Sequence, residues 1–111
     1  MPNSPLVTTI LITYNRPRLL KESVATLLRQ THANLEIILI NNGGTGETTE
    51  YLNEVAASDP RVKLMRYEEN QWSPSDHQRY IRICLNEALQ ESTGEYIWFN
   101  ADDDLIADDY L

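Results

Sequence analysis

Cysteine is nearly absent: Cys84 is the single one, so no internal disulfide and no thiolate metal cage can form within the chain. Basic residues are also scarce, nine Lys and Arg against seventeen Asp and Glu, for a net charge of −8. That balance argues against unaided binding to a nucleic-acid backbone or an anionic membrane. It does not exclude a nucleotide, because a metal ion can bring the positive charge. There is no run of eighteen apolar residues, hence no membrane segment. Met1 to Pro5 is too short and polar for a signal peptide. The expectation is a cytoplasmic protein, with the soluble head of a longer membrane-associated chain left open. No GxGxxG or Walker pattern occurs, so no phosphate loop is claimed. An EF-hand loop fails because Leu105 and Ile106 follow Asp104 where alternating ligands are needed. A phosphate-accepting receiver domain fails because Tyr14-Asn15-Arg16, not acids, follows the first strand.

What is present is enough for one globular domain: 111 residues, 41% apolar and 23% charged. Val7 to Thr13 (VTTILIT) reads as a β-branched strand. Pro17 suits the first position of a helix, on which Leu20, Val24, Leu27 and Leu28 share one face. Leu35 to Ile40 is a second strand, followed by a loop from Asn41 to Gly46 whose glycines permit positive φ. A short helix with Tyr51, Leu52, Val55 and Ala56 inward is stopped by Asp59-Pro60. Val62 to Tyr67 is the third strand. Ser73-Pro74-Ser75-Asp76 reads as the start of a third helix, with Ile81, Cys84, Leu85, Ala88 and Leu89 as its buried stripe and Gly94 as its stop. Leu105 to Leu111 opens a further element. This β-α-β-α-β-α-β order predicts a three-layer α/β/α sandwich, Rossmann-like, with a mostly parallel sheet covered on both faces. Ligands in such sheets bind outside the carboxyl ends of the strands.

The stretch Glu95 to Asp104 places an apolar segment, Tyr96 to Phe99, directly before Asp102, Asp103 and Asp104. A buried strand that runs into three carboxylates is one way to build a site at that sheet edge. Adjacent carboxylates repel, and a hard cation such as magnesium, manganese or calcium would relieve them while bridging to phosphates. A solvated acidic turn is the alternative. Tyr14, after strand one, is placed to stack on a nucleobase or to be a half-buried loop residue. Asn41 and Asn42 offer amides to a base edge, or simply tolerate the backbone before glycine. Arg79 and Arg82 could reach a diphosphate from the third helix, or be solvated with His77. Trp72 either faces a substrate or packs across the helix start.

Taken together, TILITYNRPRLLKESVATLLRQTHANLEIILINNGGTGET, Asn70, and NEAL followed by GEYIWFNADDDLIADDYL resemble the nucleotide-binding half of a family 2 glycosyltransferase with the GT-A fold. That resemblance implies a single nucleotide-sugar-binding domain over residues 1–111, expected to stop before an acceptor-binding half. It implies transfer of a sugar from a nucleotide-diphosphate donor, first of all a UDP-sugar, to an acceptor hydroxyl, with inversion and with Mn2+ or Mg2+. Carried over position by position, Tyr14 matches the base-stacking residue, within the loop Tyr14, Asn15 and Arg16. Asn42 matches the acid that bonds the uracil edge. A gapless match puts the DXD motif at Ala101-Asp102-Asp103, with Asp103 as metal ligand and Asp102 on the ribose side. Asn86 matches the asparagine of an Arg-Asn pair.

The departures from the family pattern are specific. Asn41-Asn42 replaces an acid pair, which opens the choice of base. Ala101 replaces the first DXD acid. Leu85 stands for the arginine before Asn86, and Arg82, one turn earlier, is its expected substitute. The family's catalytic base follows the DXD, and only seven residues follow Asp104, so no catalytic residue is assigned unless Asp108 or Asp109 is recruited. A non-catalytic nucleotide-binding or interaction module is the rival reading, and a nucleotidyltransferase a third. A sheet short of the family's full core further predicts an exposed apolar edge near the last strand, with homodimerisation as a way to cover it.

Overall fold

The structure, a computed structural model, describes residues 4–111, so part of the polar Met1–Pro5 start lies outside the described residues. The elements are β1 (Val7–Thr13), α1 (Pro17–Leu28), β2 (Leu35–Asn42), α2 (Gly46–Ser58), β3 (Val62–Tyr67), α3 (Arg79–Glu91) and β4 (Tyr96–Ala101). All three strand pairings are parallel, in the order β3-β2-β1-β4. Parallel neighbours need crossovers, and each of the three is a helix. The chain is thus an α/β, Rossmann-like layer structure, as the alternating pattern implies.

Burial follows the pleat of the central strands. Leu11, Ile37 and Leu39 face one way and pack with Leu20, Val24 and Leu27 of α1 and Leu52 and Val55 of α2. Ile10, Ile38 and Ile40 face the other way and meet Cys84 and Ala88 of α3. Every one of the eight residues of β2 is buried. A strand buried on both faces reads as an unbroken apolar run, which is why LEIILI carries no alternation.

Several expectations are corrected. β2 continues through Asn41 and Asn42, so these are buried strand-end residues rather than loop residues. Helix α3 starts at Arg79, not Ser73. Ser73 to Asp76 is instead a hydrogen-bonded turn, and the Asp76 carboxylate pairs with Arg82 rather than capping a helix. Gly94 does not end α3, whose C-cap is Ser92. Gly94 lies against β1, where an added Cβ would come within 2.4 Å of Thr8 Oγ1. Leu105 to Leu111 forms no helix or strand. It is tied to the end of α1: Thr31 N donates to the Asp108 carbonyl (2.6 Å), Gln30 Nε2 to the Ala107 carbonyl (2.7 Å), and Leu111 N to Gln30 Oε1 (3.0 Å).

β4 is an edge strand, and its apolar run is not buried as expected: Tyr96 is 62% and Phe99 44% exposed. One face of β4 is partly covered, Trp98 packing on Tyr110 with ring centroids 4.9 Å apart. On the other face, α3 lies over β1 and β2 and leaves Ile97 and Phe99 open. Ile81 and Leu89, expected in the buried stripe, are exposed for the same reason. The expected exposed apolar surface near the last strand is therefore present.

The amino-terminal ends of the strands are closed by one buried carboxylate. Glu36 accepts from Thr8 Oγ1 (2.7 Å), the Thr93 amide (2.8 Å) and the Thr93 hydroxyl (2.9 Å), and pairs with Lys63. It thereby ties β1, β2, β3 and the α3–β4 connection together. Burial by itself would raise its pKa, but Lys63, Thr93 and Thr8 outweigh burial and lower it from 4.5 to about 2. On unfolding the group returns to its ordinary value and takes up a proton first, so its contribution is complete above about pH 4.5 and disappears as pH falls toward 2. Glu36→Gln is expected to lower stability at pH 7 by roughly 1–3 kcal/mol and to flatten the acid limb below pH 4.5. Urea melts between pH 2 and 7 measure both, and an equally steep acid loss in the variant would remove Glu36 from this role.

Candidate functional site

At the opposite, carboxyl ends of β1, β2 and β4 lies an open cleft of about 470 Å³, lined among others by Thr13, Tyr14, Arg16, Asn42, Asn70, Trp72 and Asp102. A second hollow of about 510 Å³ shares Arg16, Tyr80 and Asp102 with it and takes in Asp103 and Asp104. The pattern of strands predicts a site at this edge.

β4 delivers Asp102 into the cleft as a buried side chain, 8% exposed. Thr13, the last residue of β1, donates its hydroxyl to Asp102 Oδ2 at 2.9 Å. Arg16 Nη1 stands 3.5 Å from Asp102 and 3.8 Å from Asp103. The guanidinium lies between two carboxylates whose mutual repulsion it offsets. Asp103 projects into solvent with its side chain 52% exposed. Asp104 turns back, accepting a hydrogen bond from the Ala101 amide at 3.3 Å. Among the described residues no group of three His, Cys, Asp or Glu converges to hold a metal. The donor set is thus no closed cage. One exposed carboxylate beside an oriented one does fit a hard divalent cation that takes its remaining ligands from waters and phosphates.

At the β2 end, Asn41 shapes the turn, its Oδ1 accepting the Gly44 amide (2.8 Å) and its Nδ2 donating to Thr49 (3.0 Å). Asn42 reaches the next segment: Nδ2 donates to Asn70 Oδ1 (2.9 Å) and Oδ1 accepts the Gln71 amide (2.9 Å). The Cys84 thiol also donates toward Asn42 Oδ1 (3.9 Å), and burial pushes that thiol up to about 11, an inert core cysteine rather than a nucleophile. Asn15 holds positive φ (44°) and accepts the Thr45 amide at 2.9 Å, joining the β1 loop to the β2 loop.

The structure brings Tyr14, Arg16, Asn42 and Asp102 into one cleft, with Asp103 in the adjoining hollow. Asn15 sits beneath, as a loop brace. Arg82 does not line either hollow; it is engaged by Asp76, and Asn86 is exposed further along α3. Sequence reasoning passed over Thr13 and Tyr80, and left Trp72 and His77 undecided. Thr13 had one readable signal, a hydroxyl at the very end of an apolar strand.

Residues 8–111 match the model for glycosyl transferase family 2. The chain belongs to that family. It is 34% identical over 109 residues to an uncharacterized glycosyltransferase of Haemophilus influenzae, covering 98% of this chain and 40% of the relative. It is 32% identical to the putative glycosyltransferase EpsE of Bacillus subtilis over 95% of this chain and 35% of the relative. This family 2 chain therefore spans well under half the length of either. Among solved structures it resembles the mannosyltransferase PcManGT of Pyrobaculum calidifontis, in complex with GDP-Man and Mn2+, at 26% identity and a TM-score of 0.75, over 94% of this chain and 29% of that one. TarS of S. aureus, at 22% identity and a TM-score of 0.72 over 92% of this chain and 28% of the other, shares the fold. The GT-A architecture implied by the resemblance is thereby established, and no helix among the described residues is long and apolar enough to cross a membrane.

Thr13 is the residue whose removal tests the geometry of the acid end. Thr13→Val keeps the shape of the strand end but withdraws the hydroxyl from buried Asp102, so stability at neutral pH should fall by about 1–3 kcal/mol, read from urea denaturation. No change would mean that Asp102 is satisfied by Arg16 and water alone.

Proposed function

We propose that this chain is the donor-binding part of a metal-dependent glycosyltransferase, holding a nucleotide-diphosphate sugar whose sugar passes, with inversion, to an acceptor hydroxyl. The observation that carries this reading is the cleft at the strand ends, where Tyr14, Arg16 and Asp102 come together beside the exposed carboxylate of Asp103. Membership of family 2 and the likeness to a mannosyltransferase in complex with GDP-Man and Mn2+ support it.

In this reading Tyr14, half exposed at the mouth of the cleft, stacks on the base, and Asp102, held by Thr13, serves the ribose side. Asp103 would hold Mn2+ or Mg2+, which supplies Lewis-acid stabilisation of the departing diphosphate. Arg16, lying against both carboxylates, adds a fixed positive charge where phosphate oxygens would sit and can swing from carboxylate to phosphate without leaving the site. A UDP-sugar is the first expectation from the family; the two asparagines at the end of β2 leave the choice among uridine, guanosine and thymidine open to test. No residue of this chain is assigned as the base that deprotonates the acceptor.

The test is nucleotide-diphosphate affinity by calorimetry, with manganese and with chelator. Manganese should strengthen binding in the wild type, and Asp103→Asn should abolish that enhancement while leaving the fold intact, since an exposed turn carries little core energy. Asp104→Asn should do less, because that carboxylate already turns back to its own backbone. Tyr14→Ala should weaken binding by roughly 1–3 kcal/mol, the scale of one base–aromatic stack, and Tyr14→Phe should matter little. Full manganese enhancement in Asp103→Asn would leave only the solvated-turn reading of the acids.

A further inference from the structure

The Asn70–Trp72 segment carries an exposed aromatic that the family pattern does not account for. Trp72 is 47% exposed, lines the cleft, and lies flat against His77, ring centroids 5.3 Å apart and planes 15° from parallel. A large apolar ring left open to water on a polar loop gains nothing for the core, yet its position is closely determined. Asn70 Oδ1 accepts the Trp72 amide at 2.8 Å as well as Asn42 Nδ2 at 2.9 Å. Asn42 Oδ1 accepts the intervening Gln71 amide at 2.9 Å. Gly43, at φ 79°, gives the same segment its seat: a Cβ there would lie 2.3 Å from the Asn70 nitrogen and 2.5 Å from the Glu69 carbonyl carbon. The Asn42-Gly43 pair at the end of β2 is therefore a cradle that holds the backbone of this segment. The path ends by presenting Trp72, stacked on His77, to the cleft that both residues line.

The strand order says which part of a ligand this ring would meet. Asn42 ends β2 and bonds Asn70 of the loop after β3, whereas Asp102 and Asp103 follow β4, with β1 between β2 and β4. From β2 to β4 is two strand spacings, about 10 Å. If the diphosphate and its metal lie at the β4 acids, the end remote from them is the base end. A flat indole backed by an imidazole suits a planar base, which stacks on aromatic faces whatever its hydrogen-bonding edge.

We propose that Trp72, supported by His77, is a second nucleobase-stacking side chain of the cleft, and that Asn42 is a positioning residue acting through Trp72 rather than a reader of the base edge. The inference rests on the nucleotide-sugar reading above. It assigns affinity for the base to ring stacking and so expects tolerance among bases, in contrast to the edge recognition that the matching position implies. Asn42 is suited to this because its carbonyl oxygen and one amide hydrogen are already engaged by the chain itself.

The experiment uses the 111-residue chain with UDP and GDP, manganese present, followed by calorimetry and by indole fluorescence in a Trp98→Phe background, so that Trp72 is the only indole. Both diphosphates should quench Trp72. Trp72→Ala should weaken both by roughly five- to a hundredfold, and Trp72→Phe should restore most of the loss. Asn42→Ala should shift the emission of ligand-free Trp72 toward that of solvated indole and weaken binding. The double variant Asn42→Ala/Trp72→Ala should be no weaker than Trp72→Ala alone, since one residue acts through the other. Additive losses would overturn the positioning role and return Asn42 to direct contact. Wild-type affinity in Trp72→Ala would overturn the stacking role while leaving the nucleotide-sugar reading intact. Loss in Trp72→Ala for a nucleotide sugar but not for the free diphosphate would place the ring on the sugar and overturn the proposal. A wild-type chain that binds neither diphosphate would overturn the nucleotide-sugar reading itself, and this inference with it.

Discussion

β1 and β2 are covered on both faces, and this constraint governs where chemistry can appear in the molecule. A side chain on either strand meets α1 and α2 on one side or α3 on the other. A polar group left unpaired in that interior would cost on the order of 1–3 kcal/mol. Most buried polar side chains of these strands are accordingly bonded, Glu36 and Thr8 at one end, Thr13, Asn41 and Asn42 at the other; the buried Thr9 hydroxyl, which has no partner, is the exception.

The two ends use similar hydrogen-bonding chemistry to different effect. At the amino ends the donors converge on Glu36, where Thr8, Thr93 and Lys63 lower its pKa against the effect of burial. That network closes the sheet and leaves the carboxylate little capacity for a ligand. At the carboxyl ends the hydrogen bonds run sideways, from strand to loop and from loop to loop. Thr13 orients Asp102, Asn15 braces the turn after β2, and Asn42 holds the Asn70–Trp72 segment. Each fixes a neighbour while leaving Tyr14 and Trp72 toward the cleft and Asp103 toward the adjoining hollow. Under the proposed function, side chains held in place beforehand would lose less conformational freedom when a ligand arrives.

Charge follows the same division. In a chain of net charge −8, the basic side chain beside the β4 acids is Arg16, poised between Asp102 and Asp103. Arg82, which helix position alone would send to a diphosphate, is held by Asp76 in the turn before α3. The difference lies in the turn: Ser73 to Asp76 closes on itself instead of starting a helix, and this brings the Asp76 carboxylate to the arginine.

The local sequence by itself determined the order and type of the seven elements, but neither the start of α3 nor the irregular course of Leu105 to Leu111. Val7–Thr13 and Val62–Tyr67 are legible because β-branched and apolar runs bounded by breakers have few other outcomes, and α1 is legible because Pro17 and the Leu20, Val24, Leu27 spacing agree. The placement of Tyr14 and Asp102 along one edge was legible too, since the ends of parallel strands must lie there. Tertiary structure alone decided which apolar residues are covered. Phe99, Ile81 and Leu89 are more hydrophobic than the buried Ala88, and are exposed because β4 is at the edge and α3 sits over β1 and β2. It also decided the partners of Asn42, Arg82 and Thr13, which lie 28, 6 and 89 residues away. A side-chain amide or hydroxyl has no directional signature in the sequence. Its role is settled by whichever donor or acceptor the packed chain brings within about 3 Å.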